Sequence, residues 1–364
     1  MGADYIDFFL GANTSKGFLS RYEQISKNPK IKKLYVIKGG AGTGKSTIMK
    51  KVAEEYHKRG FQIERIHCSS DPDSLDGVIV EEKGMAILDG TPPHVMEPQY
   101  PAAFETLVDL YPCWNEEILE KNIEQIKNVV KKYTDCHKRA CDHISLISAL
   151  LKGNNQVVRE CVDYEKMDRY IKYITKKELG RKQDKTPTEK VRFFSAITPQ
   201  GVKFYTSTIE SLCDKIYVVE DEFGVVSDYM LRKIKESAAI KNLDVISGYC
   251  VIDPYDKLEQ LIIPEKRIAF LTSNMFHKIS TSTPRVTVKA SRFTDTTKLS
   301  ERKQYLSFNK KVVSSCLTEA VKEMKQAKTC HDLLESIYVS SVDFKKVDTL
   351  FAQLLEKMKK SGVL

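Results

Sequence analysis

Apolar residues along the chain fall into two alternating patterns: short solid runs and longer stretches at helical spacing. The run 34–37, Leu-Tyr-Val-Ile, suits a strand buried on both faces. After it, Ile48, Met49 and Val52 share one side of a helix over 46–56 that should stop near Gly60. Strands are expected again at 61–67 and over Met85-Ala86-Ile87-Leu88. The spacing then predicts helices over 116–133, with Ile118, Ile123, Ile126 and Val130 in phase, over 134–152 and over 156–179. A polar, turn-rich stretch at 180–187 follows. A second α/β region runs from about 193 to 274, trailed by helices at 306–328 and 331–359 with a break near Val342-Asp343. Strands alternating with helical crossovers predict an α/β fold built on a parallel sheet.

The two regions are copies of each other. Displacing the chain by 182 residues sets Lys33-Leu-Tyr-Val-Ile on Lys215-Ile-Tyr-Val-Val. The same displacement pairs Gly42 with Gly224, Lys51 with Lys233, Cys68 with Cys250, and Asp71-Pro72 with Asp253-Pro254. After a one-residue insertion, Ile79 meets Ile262, Leu88 meets Leu271 and His94 meets His277. Upstream, Ala12, Thr14 and Gly17 match Ala196, Thr198 and Gly201. The chain reads as a tandem duplication: a first copy with a helical tail at 1–180, a linker at 181–191, and a second copy with its tail at 192–364.

The first copy carries G-x-x-x-x-G-K-[ST] between its strand and its helix, as Gly39, Gly40, Ala41, Gly42, Thr43, Gly44, Lys45 and Ser46, followed by Thr47. Glycines let such a loop curl so that its N–H groups converge on phosphate oxygens, and the helix N-terminus adds partial positive charge there. Lys45 would reach the β- and γ-phosphates, and Ser46 would offer its hydroxyl to Mg²⁺. In the second copy Gly39, Gly40, Gly44, Lys45 and Ser46 give way to Asp221, Glu222, Val226, Ser227 and Asp228. Acidic groups repel a polyphosphate, so this copy is a pseudo-site.

The duplication also sorts roles. A residue kept in both copies serves the fold, whereas one lost together with Lys45 and Ser46 serves the nucleotide. Asp89 ends an apolar run and becomes Thr272, which marks it as the metal-side carboxylate. Asp73 and Asp76 become Tyr255 or Asp256 and Leu258 or Glu259; both are candidates to orient a water or an acceptor hydroxyl. Asp71, His94, Thr14 and Gly17 are kept and read as structural. Cys136, His137, Cys141 and His143 cannot form one zinc site, because helical spacing splits them between two faces.

Composition narrows the class. The 364 residues suit two domains, and 41% apolar with 29% charged is ordinary for a folded protein. No stretch approaches the roughly 20 apolar residues of a membrane span. The opening Met1-Gly2-Ala3-Asp4-Tyr5 has no leader character, and nine scattered cysteines read as reduced thiols, so a cytoplasmic location is expected. The net charge is +9, and it is unevenly spread. Residues 95–120 are acidic, whereas 278–311 are basic, from Lys278 and Arg285 to Lys310 and Lys311. The basic segment could attract nucleic acid, although only Phe293, Tyr305 and Phe308 interleave it. Since the two segments follow equivalent points of the repeat, they are expected to face each other, or equivalent surfaces of a second molecule, so that the halves form a pseudo-dimer with Arg292 and Lys298 at the contact.

On Gly39–Ser46, His67-Cys68, 71–77 and 86–94, the chain resembles uncharacterised bacterial P-loop proteins with two related halves, described as ATPase or nucleotide-kinase-like. The resemblance implies ATP binding with hydrolysis or phosphoryl transfer. The expected function is Mg²⁺-dependent binding and hydrolysis of a nucleoside triphosphate, ATP or GTP, at the single site of the first copy. Lys45 would neutralise charge, Ser46 and Asp89 would hold the metal, and Asp76 or Asp73 would place the water. The alternatives are a kinase acting on a nucleotide or small acceptor, and a nucleotide-dependent sensor that binds nucleic acid or a protein partner. Arg159, Arg169 and Arg181 are available as fingers, but nothing in the spacing selects one.

Overall fold

The computed structural model describes residues 5–364; the four residues before Tyr5, on which the no-leader expectation rests, lie outside the described residues. The first half contains β1 (Tyr5–Phe8), the hairpin β2 (Gly11–Thr14) and β3 (Gly17–Ser20), a single turn α1 (Glu23–Ser26), β4 (Lys33–Lys38) and α2 (Lys45–His57). Then come β5 (Ile63–His67), β6 (Leu75–Val80), β7 (Met85–Asp89), β8 (Glu105–Asp109), α3 (Glu116–Lys121), α4 (Ile123–Arg159) and α5 (Tyr164–Glu178). The second half repeats the series: β9 (Glu189–Arg192), β10 (Ser195–Thr198), β11 (Gly201–Phe204), α6 (Thr206–Leu212), β12 (Lys215–Glu220) and α7 (Val225–Ile240). It finishes with β13 (Val245–Tyr249), β14 (Leu258–Ile263), β15 (Ile268–Ser273), β16 (Arg285–Lys289), α8 (Thr296–Glu301), α9 (Lys303–Val339) and α10 (Phe344–Lys360).

Each half builds a six-stranded sheet in the same spatial order, β1-β5-β6-β7-β4-β8 and β9-β13-β14-β15-β12-β16. The sheets are mixed, which corrects the expectation of a parallel one. β4 lies parallel to β7 and β8, and β1 parallel to β5, but β6 runs antiparallel to both its neighbours, as β14 does in the second half. The links into and out of β6 are too short for the helical crossover of about a dozen residues that a parallel pair needs. The kept residues Thr14 and Gly17 form the β2–β3 turn, where the Thr14 hydroxyl donates to the Gly17 carbonyl at 2.7 Å; Thr198 and Gly201 repeat the bond at 2.8 Å.

The equivalent residues Phe9 and Phe193 exchange backbone hydrogen bonds of 2.9 and 3.0 Å, which places a local two-fold axis between the halves. One core of Phe8, Leu34, Val36, Phe194, Ile216 and Val218 spans that axis. The tails are exchanged across it. Met167, Ile171 and Ile174 of α5 pack with Met230 and Ile234 of the second half, and Val347, Leu354 and Met358 of α10 pack with Met49, Val52 and Tyr56 of the first. In place of the expected break near 153–155, α4 is one 37-residue helix lying along α9. Asn309 donates to Asn154 at 2.7 Å within that pairing, and Gly153 lets the Tyr305 hydroxyl approach. Residues 189–191, at the end of the stretch read as a linker, belong to strand β9. Among the described residues, no helix is long and apolar enough to cross a membrane.

Candidate functional site

β4 sits between β7 and β8, and its buried Leu34–Ile37 run delivers the chain to the loop 39–44 at the sheet's C-terminal edge. Gly42 and Gly44 hold positive φ of 71° and 82°, a backbone that side chains disfavour, and Gly44 opens α2 with no side chain to cap it. The N–H groups at that helix end are the ordinary seat of an anion. Lys45 Nζ folds back to donate to the carbonyls of Gly39 and Gly40, each at 2.7 Å, and lies 3.5 Å from Asp89 Oδ2. Thr43 donates to the Gly40 carbonyl at 2.9 Å, and Ser46 Oγ accepts from the Leu75 N–H at 3.0 Å. Ala41 is half-buried and Thr47 exposed.

Asp89 reaches this group because β7 runs parallel to β4, in register with Ile37. Its Oδ1 accepts from the Thr91 N–H at 2.9 Å and the Thr91 hydroxyl at 2.5 Å. Burial pushes its carboxyl above the usual range and nearby Asp76 adds to this; Lys45 and Thr91 oppose it. A buried carboxylate destabilised as an anion is a hard oxygen donor of the kind a divalent cation relieves. Asp76, one of the two candidates to orient a water, lies on β6 beside β7. It is buried, and His94 Nε2 lies 3.0 Å from its Oδ2. The Tyr22 ring stacks on His94 and its hydroxyl donates to the Asp76 carbonyl at 3.0 Å. Burial works against charging His94, but Asp76 outweighs it and raises the imidazole pKa. The hydrogen bonds made by Leu75 and Leu258 settle the counterpart of Asp76 as Glu259, so an acid stands here in both halves. Asp73 is exposed and lines a separate cavity beside α2.

The second half's loop differs in shape as well as in charge. Gly224, at φ 78°, opens α7 directly, so Val225 and Val226 are helical where Thr43 and Gly44 remain in the loop. Buried Asp221 stands in the position of Gly39; its carboxylate accepts from the N–H groups of Phe223 at 3.2 Å and Ser227 at 2.8 Å, and from the Ser227 hydroxyl at 3.1 Å. Lys257 packs against Gly224 from outside the loop and pairs with Glu259 at 3.1 Å, both side chains buried.

Local sequence reasoning missed what covers the loop 39–44. A Cβ on Gly40 would meet Trp114 at 2.9 Å, and one on Gly42 would meet Val339 at 2.6 Å and the Glu335 carbonyl at 3.1 Å. Trp114 also lies against Tyr338, with ring centroids 5.4 Å apart. The end of α9, from the second half's tail, therefore rests on the first half's loop; the only local hint was that Trp114 is the chain's single tryptophan.

Other expectations are corrected. Among the described residues no ion pair joins 95–120 to 278–311. Each segment instead meets the other half's tail: Asp343 N–H donates to the Cys113 carbonyl at 2.8 Å, and Asp163 N–H to the Phe293 carbonyl at 2.8 Å. In the basic segment Phe293 is buried and Arg292 stacks on Tyr170, whereas Tyr305 and Phe308 on α9 are exposed. His137 and Cys141 both turn toward Asn13. Compared with family models, curated proteins and solved structures, the chain matches none.

Proposed function

We propose that the first half binds a nucleoside triphosphate with Mg²⁺ at loop 39–44 and hydrolyses it, acting as an ATPase, with the second half as its catalytically silent partner. The observation that carries this reading is Lys45 Nζ lying on the loop's own carbonyls 3.5 Å from Asp89, at an α2 N-terminus that no side chain caps. The loop N–H groups would cradle the phosphates, and Lys45 would turn from the Gly39 and Gly40 carbonyls to the β- and γ-oxygens. Mg²⁺ would be held by Ser46 and Asp89, and when bound it supplies charge neutralisation at the phosphoryl oxygens. Asp76 or Asp73 would orient the attacking water, Asp76 from its buried place against His94 and Asp73 from the exposed cavity next to it. The resemblance to tandem P-loop proteins favours ATP, with GTP as the other base to assay.

A second reading, transfer of the γ-phosphate to a small acceptor, is favoured by the cavity lined by Asp73 and Leu75, since Leu75 also bonds Ser46. One experiment separates the two. Purified protein is given Mg-ATP and a pool of nucleosides, sugars and monophosphates, and ADP is compared with free phosphate. Equal amounts support the ATPase, and ADP in excess supports the kinase. Lys45→Ala should lower either product by roughly 10²–10³-fold; turnover that survives in Lys45→Ala would remove this loop from the chemistry.

A further inference from the structure

The first half has a second polar cavity that its duplicate lacks the residues to make. It encloses about 320 Å³ between β1, α2, β5 and the β10–β11 hairpin of the other half. Lys50, Arg65 and Lys203 line it from three different elements, together with Glu54, Asp73, Tyr5 and Tyr205.

The charges in its wall are unequally satisfied. Arg65 is held by buried Asp7, through Nε at 2.7 Å and a terminal nitrogen at 3.0 Å. His67 shares the same carboxylate at 2.8 Å and fixes the floor through the Pro72 carbonyl at 2.8 Å. Lys50 and Lys203, by contrast, have no carboxylate within ion-pair distance among the described residues. Two lysines brought from opposite halves to one concave site repel each other unless an anion joins them. In the second half these cations are consumed or missing. Arg232, at the position of Lys50, pairs with Asp228 at 2.9 Å, and Ser247 stands in place of Arg65. The hairpin position of Lys203 is occupied in the first hairpin by Leu19, which packs against the core.

We propose that this cavity binds the phosphate of a phosphorylated polyhydroxy small molecule, with Lys50, Lys203 and Arg65 on the phosphate and Glu54 and Asp73 accepting from its hydroxyls. Those two acids would repel a second phosphate, which selects a monophosphate over a polyphosphate such as the P-loop takes. The site stands independently of nucleotide binding at loop 39–44.

The test uses the full chain carrying Lys45→Ala, so that P-loop binding is suppressed, with inorganic phosphate and ribose 5-phosphate titrated by calorimetry in the absence of Mg²⁺. Both should bind, ribose 5-phosphate more tightly. Adding Lys203→Leu, which restores the residue of the first hairpin, or Lys50→Gln, an exposed change, should weaken both by roughly tenfold each. Unchanged melting temperatures would show that these variants still fold. Failure of both probes to bind, or binding indifferent to Lys203→Leu and Lys50→Gln, overturns the proposal. Equal affinity for the two probes overturns its polyol part. Binding seen in the parent but lost on Lys45→Ala assigns the phosphate to the P-loop and overturns it as well.

Discussion

The loops after β4 and β12 leave equivalent strands and enter equivalent helices, yet they treat the exposed helix N-terminus in opposite ways. In the second half Asp221 supplies an anion from within the chain, and the helix starts two residues sooner. In the first half a glycine stands at that position, and the cation beside it, Lys45, is tied only to carbonyls and loosely to Asp89. The same strand–loop–helix frame therefore holds whether the helix N-terminus is left open or met by a side chain of the chain itself. The buried charges Asp221, Lys257 and Glu259 of the second half form a finished internal structure, and the first half has no acid in place of Asp221.

The largest effect should come from breaking that finished structure. Glu259 is buried against Lys257 at 3.1 Å and accepts from Asn274 at 3.1 Å. Burial opposes its charge, but the Lys257 ammonium outweighs burial and holds the carboxyl below its usual range. Glu259→Gln strands the lysine, and should cost about 3–5 kcal/mol in denaturant unfolding at pH 7. The sign with pH follows from linkage. A depressed folded-state pKa contributes stability above the unfolded value and loses it as pH falls through the folded one, so the variant's deficit should shrink in acid. A deficit that is constant from neutral to acid pH would mean that the pair acts through packing alone.

Asp89→Asn asks whether the first half is arranged as claimed. Hydrolysis should fall by roughly 10²-fold or more if Asp89 is the metal-side carboxylate. Stability should move the other way. The Asp89 pKa is raised, chiefly by burial, so its ionised form costs stability that increases as pH rises through the folded value. The ligand-free variant should thus melt higher than the parent at pH 7, with the gain fading toward acid. A variant that is both inactive and less stable would mark Asp89 as a structural acid held by Thr91.

How much of this could be read from the sequence depends on how local the information was. The strand at 34–37, the glycine loop and the helix after it obey short-range rules, and β4 and α2 stand where the pattern put them. β6 escaped notice because Asp76-Gly77 interrupts its apolar run, although all six of its residues are buried. With β6 unseen, the antiparallel links on both its sides could not be inferred. The exchange of tails was illegible for a different reason. The apolar faces of α5 and α10 show that each must be buried, but not against which of two similar sheets. For the site, the repeat comparison pointed to Lys45, Ser46 and Asp89 as a group; the Asp76–His94 pairing depended on the fold bringing β6 beside the turn after β7.

A smaller effect is expected at the surrogate anion. Asp221→Ala removes a buried acceptor from two N–H groups and a hydroxyl, and should cost about 1–3 kcal/mol, read as a lower denaturant midpoint. It should create no hydrolytic activity, because Val225 and Val226 remain helical and no lysine follows the loop. Activity gained at the second half would mean that charge alone, not loop length, silenced it.

The smallest effect concerns how the halves are held. Arg292 lies over the Tyr170 ring at 4.5 Å, an inter-half contact supplied by the exchanged tail rather than by an acidic partner. Arg292→Glu should cost only about 0.5–1 kcal/mol in equilibrium unfolding. Lys298→Glu, on a surface helix, should fall within about 0.5 kcal/mol of the parent. The mechanism shows in the salt dependence. Opposed acidic and basic segments would be screened strongly between low and physiological ionic strength. Stacking of a guanidinium on a ring also carries apolar contact that salt does not remove, so the Arg292→Glu deficit should largely persist at 1 M salt. A deficit confined to low salt would restore direct attraction between charged segments as what joins the two copies.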